Sequence, residues 1–126
     1  MNGPVASTLV LLEELDKCEP GKKVRFLGCV DEYVVKKATL RLKHTYPVTD
    51  TPKIAQVNIE HVLESVKRHE IDVGSWINVI GYVELRNRKG IHVQAVAVWG
   101  AGDVNLEVYH RAVEGRKEAA RMGEEK

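Results

Sequence analysis

The residues whose chemistry stands out in this 126-residue sequence are cations at the ends and along one side of predicted strands. Two fall in a turn, two alternate along the strand that follows, and three fall in a later hairpin loop. Cations in such places can follow a phosphate backbone, and tyrosines beside them can stack on nucleobases. The predicted nucleic-acid contacts are Tyr33, Lys36, Lys37, Arg41, Lys43, Tyr46, Arg86, Arg88 and Lys89.

A charged, solvated surface explains the same residues equally well. Charge on exposed strands and hairpin tips prevents edge-to-edge association, and aromatic residues make up only 6% of the chain. The net charge is +1, whereas a domain that binds nucleic acid on its own is usually strongly basic. The stretch 22–43 nevertheless contains seven basic residues against two acidic ones. Both interpretations stay open, and any intrinsic affinity for nucleic acid is expected to be weak.

No catalytic, metal or cofactor site is predicted. The five histidines form neither HxxxH nor HExxH pairs, and Gly100-Ala101-Gly102 lacks the Lys-Ser/Thr of a P-loop. Asp31 and Glu32 are adjacent in a predicted strand, so their carboxylates should point to opposite faces. Cys18 and Cys29 match neither a zinc site nor a redox pair. They are interpreted as small apolar residues in a reducing compartment, the alternative being a reactive or ligating thiol.

Five strands and three helices are predicted from periodicity and turn residues. The strands are Lys23–Val35, Thr39–His44, Lys53–Ile59, Trp76–Leu85 and Ile91–Trp99, and the helices are 7–16, 60–70 and 103–122. Three strands, a helix and two strands is the order of an all-β, five-stranded Greek-key OB barrel with flanking helices. Gly28 and Gly81 interrupt long strands and mark a bend, a bulge or a close backbone approach.

Length and composition predict a single domain over residues 1–126. Hydrophobic residues make up 44% and charged residues 29% of the chain, which is typical of one compact domain with a modest core. The sequence shows no secretory signal and no apolar stretch of about 20 residues, the length that spans a membrane. We therefore expect an intracellular protein.

The last helix is surplus to a five-stranded barrel. Leu106, Tyr109 and Val113 recur at helical spacing, and Ala112 extends the same surface. One interpretation is a helix that binds a partner's helix, since tyrosine is common at interfaces. The other is a helix folded back on its own barrel. We favour the partner.

Three stretches carry a family resemblance: PGKKVRFLGCVDEYV, VGSWINVIGYVEL, and WGAGDVNL before the last helix. Their most specific parts are 24–28 and 76–83. Together with the order of elements they resemble the fungal Ten1 subunit family of the telomere-capping CST complex. The likeness covers nearly the whole chain.

The resemblance implies a non-enzymatic nuclear subunit at chromosome ends. It would pair with a larger OB-fold subunit, Stn1, and assist that partner in binding single-stranded telomeric DNA. The implied partner interface comprises Arg25, Leu106, Tyr109, Ala112 and Val113. Two alternatives remain: the small subunit of a replication-protein-A-type complex, which shares this architecture, and a pure protein adaptor without DNA contact.

Overall fold

The computed structural model describes residues 6–44, 51–84 and 90–124, with side chains described as far as residue 119. The chain is mostly β, with one six-stranded sheet resembling an OB-fold and a C-terminal α-helix. The elements are β1 Thr8–Leu9, β2 Lys23–Val34, β3 Thr39–Lys43, β4 Ile54–Asn58, β5 Trp76–Val83, β6 Ile91–Gly100 and α1 Leu106–Glu124. Short 3₁₀ helices lie at Leu12–Lys17, Val35–Lys37, Glu60–Val62 and Arg68–Ile71.

Five of the strands pair in a ring. Strand β2 pairs with β3, β3 with β4, and β5 with both β6 and β2, all antiparallel, while β4 and β6 pair in parallel. The two-residue β1 adds to β2 in parallel. The five strands of the ring are the five predicted ones, with ends that differ by one or two residues.

Strand β2 pairs with two neighbouring strands and bends between the two pairings. Residues 23–29 pair with β5, and residues 29–34 pair with β3. Gly28 lies just before the change of partner, where an added Cβ would be 3.0 Å from the Leu42 Cβ and 3.1 Å from the Leu12 Cδ1. A register shift follows between Val30 and Glu32, which leaves Asp31 as an extra residue. The bend and the bulge let one strand turn from one partner to the next.

Gly81 lies at the second irregularity of the sheet. The register between β5 and β6 shifts at this residue, so Val96 is the extra residue of β6. A Cβ at Gly81 would lie 2.5 Å from the Gln94 carbonyl oxygen and 2.8 Å from the Val93 Cγ1. The close approach to a neighbouring backbone, one of the predicted alternatives, is therefore present at Gly81, whereas the neighbours of Gly28 are the side chains of Leu42 and Leu12.

Alternate residues of each strand point into one buried cluster. In β5 every second residue from Ile77 to Val83 is buried, as the sequence period requires. Phe26 is completely buried within this cluster. The N-terminal 3₁₀ helix contributes Leu12 and Leu15, and the segment after β4 contributes Val62. Both connecting segments therefore add to the core that the strands enclose.

The N-terminal segment differs from the predicted 7–16 helix. Leu9 lies in β1, and Leu12–Lys17 is a 3₁₀ helix whose first turn is fixed by the Glu14 Oε1 accepting from Leu11 N at 2.9 Å. The three-residue spacing of leucines that suggested an α-helix is also the period of a 3₁₀ helix.

The predicted 60–70 helix is replaced by two 3₁₀ helices separated by turns. Of its predicted apolar side only Val62 is buried, while Leu63 remains 47% exposed. The Ser65 hydroxyl donates to the Val62 carbonyl oxygen at 3.0 Å, and such local bonds compete with helical ones. Little burial and two β-branched residues leave an α-helix here without enough stabilisation.

The C-terminal helix begins three residues later and ends two residues later than the predicted 103–122. Asn105 caps it, because its Oδ1 accepts from Val108 N at 3.0 Å. Within the described residues no helix combines the length and apolar character needed to cross a membrane.

Substituting Gly81 by Ala should destabilise the isolated chain by about 2 kcal/mol, because the added methyl overlaps the backbone of β6. Denaturant unfolding measures the change. Gly115→Ala is the matched control, since a Cβ there meets nothing within 4 Å and should stabilise the helix by up to about 1 kcal/mol. Equal stability of the Gly81→Ala variant and the parent would contradict the close approach.

Candidate partner and nucleic-acid surfaces

One face of helix α1 packs against the outside of the strand ring. Val113 is completely buried, and Leu106 and Tyr109 are half-buried. Leu27 and Leu11 are also buried but do not belong to the cluster inside the ring. Leu27 belongs to the outward side of β2, between the inward Phe26 and the glycine bend. Burial of these residues indicates a second, smaller apolar contact beneath α1.

A cluster of aromatic rings connects the helix to the strands. His44 is only 7% exposed, and its ring contacts Trp76 edge-on at 5.4 Å and Tyr109 at 5.9 Å between centroids. His44 Nδ1 lies 3.1 Å from the Leu27 carbonyl oxygen. Because a carbonyl only accepts, Nδ1 carries the proton. Burial lowers the pKa of this imidazole from its ordinary value of 6.5, which favours the neutral form.

Tyr109 is the residue of α1 that touches this cluster directly. Burial raises the pKa of its hydroxyl to about 12. Farther along the helix, Lys117 forms an ion pair with Glu14 of the N-terminal 3₁₀ helix. Lys117 also contacts Glu114 on its own helix at 3.3 Å. Two contacts therefore hold the helix against the rest of the chain: an aromatic contact at Tyr109 and an ion pair at Lys117.

The opposite face of α1 carries small, accessible side chains. Val108 is 55% exposed, and Ala112, Gly115 and Ala119 are exposed as well. At 100° per residue these four positions fall on one narrow stripe. A Cβ at Gly115 meets nothing within 4 Å. This stripe, which we call the outer face, leaves room for the close approach of another helix.

The five predicted partner residues divide between the two sides. Ala112 lies on the outer face, while Val113 is enclosed by the chain itself. Leu106 and Tyr109 lie on the inner side with Val113 but are only half-buried, so part of each side chain stays accessible. Arg25 is exposed on β2, with its guanidinium carbon 5.3 Å from the centre of the Trp99 ring. The sequence pattern placed Ala112 on the same surface as Tyr109 and Val113, which is wrong, because in the structure Ala112 is exposed on the outer face with Val108.

The predicted cations of β3 are paired with carboxylates. Arg41 NH1 lies 3.5 Å from Glu32 Oε1, and Lys43 Nζ lies 3.2 Å from Asp31 Oδ1. Asp31 and Glu32 were expected on opposite faces. The bulge at Asp31 overturns that expectation, because an extra residue lets both carboxylates reach the same side of β3. Each pair reduces the free positive charge offered to a phosphate.

The bulge also changes the side on which Tyr33 lies. Tyr33 pairs with the buried Leu40 and packs against the core cluster, so the structure does not bring it beside Arg41 and Lys43. Lys36 and Lys37 are exposed in the 3₁₀ helix after β2. The predicted contacts Tyr46, Arg86, Arg88 and Lys89 lie outside the described residues.

A polar face of β3, β4 and β6 was missed by sequence reasoning. Cross-strand registers place Gln56 beside Arg41 and His92, and Asn58 beside Gln94. The side chains at 56, 58, 92 and 94 border a surface depression of about 260 Å3 that Lys37, Thr39 and Glu84 also line. The sequence signal was the alternation of polar residues at 56 and 58 and at 92 and 94. Amide groups in such a row can donate and accept hydrogen bonds with base edges or phosphates.

Cys18 and Cys29 are half-buried, and neither forms a disulfide bond. Cys18 Sγ lies 3.6 Å from the Glu14 carbonyl oxygen, and burial raises the pKa of the Cys29 thiol. A raised pKa disfavours the thiolate that nucleophilic or metal-binding chemistry requires. At Cys29 these properties favour the interpretation as a small apolar residue.

Val113→Ala should lower the free energy of unfolding by on the order of 2 kcal/mol, because it leaves a cavity beneath α1. Val108→Ala is the matched control on the same helix. It makes the same change in helix propensity at an exposed position and should alter stability by less than about 0.5 kcal/mol. Denaturant unfolding of both variants checks the assignment of the two faces. Equal effects would contradict it.

Stability should fall as the pH drops below 6.5, the ordinary pKa of histidine. The folded state holds His44 neutral, so the unfolded state binds more protons, and the loss is at most about 1.4 kcal/mol per pH unit. Glu13 opposes and His110 reinforces the lowered pKa. Unfolding at several pH values between 7.5 and 5 (roughly the histidine range) measures the slope.

His44→Gln should flatten this slope, whatever its effect on stability at neutral pH. His61→Gln, at an exposed position, is the matched control for loss of a histidine. A slope unchanged in His44→Gln would show that the buried imidazole does not cause the pH dependence.

Comparisons with known proteins agree with this architecture. Residues 1–114 match the Ten1 family model, described as a telomere capping, CST complex subunit. The chain is 29% identical to protein ten1 of Schizosaccharomyces pombe over 114 residues, which cover 89% of this chain and 95% of that protein. In structure it resembles a chain of the S. pombe Stn1–Ten1 complex, with a TM-score of 0.71, 27% identity, and coverage of 92% of this chain and 96% of that chain.

A more distant likeness concerns the fold alone. A chain of Ustilago maydis replication protein A bound to single-stranded DNA matches with a TM-score of 0.66 and 17% identity, covering 97% of each chain. The family match, in contrast, extends over most of the sequence and describes a structural capping subunit rather than an enzyme. The chain therefore belongs to the Ten1 family of telomere-capping CST complex subunits.

Proposed function

We propose that this chain pairs through helix α1 with a larger OB-fold subunit of the Stn1 type and assists that partner in holding single-stranded telomeric DNA. In this proposal residues 1–126 form one domain, the ring of strand pairings is a closed OB barrel, and the complex acts in the nucleus at chromosome ends. Support comes from the family match and from the likeness to a chain of the Stn1–Ten1 complex.

The observation that carries the proposal is the two-sided helix. Its inner face is occupied by the chain's own strands through Val113 and Tyr109, so a partner must use what remains. The outer face offers Val108, Ala112 and small residues beyond them. Small side chains let a second helix approach closely, and partly exposed Leu106 and Tyr109 can border that contact. Arg25 extends the surface onto β2.

The DNA role falls to the polar face in this proposal. Gln56, Asn58 and Gln94 supply hydrogen-bonding groups, and exposed Lys36 and Lys37 supply charge that no ion pair among the described residues neutralises. Arg41 and Lys43 can contribute only in competition with Glu32 and Asp31. Such a surface binds weakly by itself, which fits an auxiliary role beside a partner.

Val108→Glu and Ala112→Glu should prevent co-purification with the Stn1-type subunit while leaving the fold intact, because a carboxylate is placed in a tightly packed contact. Co-expression followed by size-exclusion chromatography measures complex formation, and circular dichroism measures folding. Val96→Glu, an exposed valine on β6, is the control. Native stoichiometry with both α1 variants would contradict the assignment, and recovery of a replication-protein-A-type partner would favour that alternative.

Reversing Lys36 and Lys37 to Glu should weaken binding of a telomeric single-stranded oligonucleotide by the heterodimer. The slope of log affinity against log salt should fall by about one for each phosphate that the heterodimer no longer neutralises. Lys17→Glu with Lys22→Glu, two exposed cations on the N-terminal side, makes the same change in net charge. Unchanged affinity and slope in the first variant would favour a pure adaptor.

A further inference from the structure

A groove lies at the end of β2, formed by residues 31–35 and residues 66–73. Its volume is about 630 Å3. No residue that lines it belongs to α1 or to the polar face of β3, β4 and β6. Neither the partner surface nor the DNA surface proposed above accounts for it.

The groove has an apolar floor with unusually exposed edges. Tyr33, Val66 and Ile71 are half-buried and pack against the core. Val35 and Val73 are 71% and 72% exposed. A contiguous set of five apolar side chains around one concavity is typical of a protein-binding surface, whereas single exposed valines are not. The floor exists because the bulge at Asp31 turns Tyr33 inward.

The rim of the groove is predominantly acidic. Asp31, Glu32 and Asp72 carry negative charge, and Arg68 is the one cation that lines it within the described residues. Asp31 and Glu32 are held by their ion pairs to Lys43 and Arg41 on the neighbouring strand. No ion pair to Asp72 is formed within the described residues. The two ion pairs also offset part of the negative charge of Asp31 and Glu32, so Asp72 contributes most to the free negative charge of the rim.

From the apolar floor and the acidic rim we infer that this groove docks a short protein segment with an aliphatic or aromatic anchor flanked by Lys or Arg. The anchor would enter between Val35 and Val73, and the basic residues would lie against the carboxylates of the rim. Complementary charge of this kind fixes the register of a bound segment and speeds encounter. The groove would leave α1 free, so a further protein can bind the chain while it is paired.

The probe is a phage-displayed library of random linear peptides, selected on the full-length chain. Enriched peptides should combine an apolar anchor with adjacent Lys or Arg, and their synthetic versions should bind more weakly at higher salt. The Val35→Glu/Val73→Glu variant should lower their affinity by about tenfold or more. Glu32→Gln with Asp72→Asn should weaken binding and reduce the salt dependence. Val96→Glu, outside the groove, should bind as the parent does.

Several results would overturn the inference. They are absence of enrichment, enriched peptides without basic residues, and peptides that bind the Val35→Glu/Val73→Glu variant as tightly as the parent. Self-association of the parent that this variant abolishes, measured by sedimentation, would show that a second copy occupies the groove instead. Loss of oligonucleotide binding in the same variant would assign the groove to nucleic acid. Complex formation through α1 is measured separately, so its failure would not affect this test.

Discussion

The rest of the molecule depends on β2 pairing with two strands at once. Strand β2 pairs with β5 over its first half and with β3 over its second half, and closing the ring requires it to curve, which Gly28 and the extra residue at Asp31 allow. These two irregularities decide which side chains face outward on either side of them. Leu27 lies on the outward side before the bend, where helix α1 packs. Tyr33 turns inward after the bulge, where the acidic-rimmed groove begins.

Contacts with the strands and with the N-terminal 3₁₀ helix fix the orientation of helix α1. Burial of Val113 and the contact of Tyr109 with His44 fix the inner face, and Lys117 fixes the far end through Glu14. Once the inner face is occupied, the identity of the outer face follows from the helical period alone. The outer face proposed for the partner is therefore a consequence of how the chain packs on itself.

Much of this fold could be predicted from the sequence, because strand burial follows a period of two that is visible in residues such as those from Trp76 to Val83. The 3₁₀ helices could not be predicted. The three-residue spacing of leucines near Leu12 fits both an α-helix and a 3₁₀ helix, and the stretch around Leu63 buries too little apolar surface to stabilise an α-helix. The sequence could not distinguish the two faces of α1 either, because Val113 is apolar whether it contacts a partner or the chain's own strands. Only three-dimensional packing distinguishes the two.

The bulge at Asp31 could not be predicted either, since no residue type indicates which position of a strand is the extra one. It explains why the pairing of Arg41 and Lys43 with carboxylates escaped sequence reasoning.

Because α1 is already packed against the strands, the proposed partner would not have to order it. Segments that fold on binding lose several kcal/mol of interaction energy, of order 2–5, to conformational entropy, and this helix is spared that loss. In the proposed complex α1 would enter the contact already ordered, as a preorganised surface. The rate of assembly would then be governed by how often correctly oriented surfaces meet.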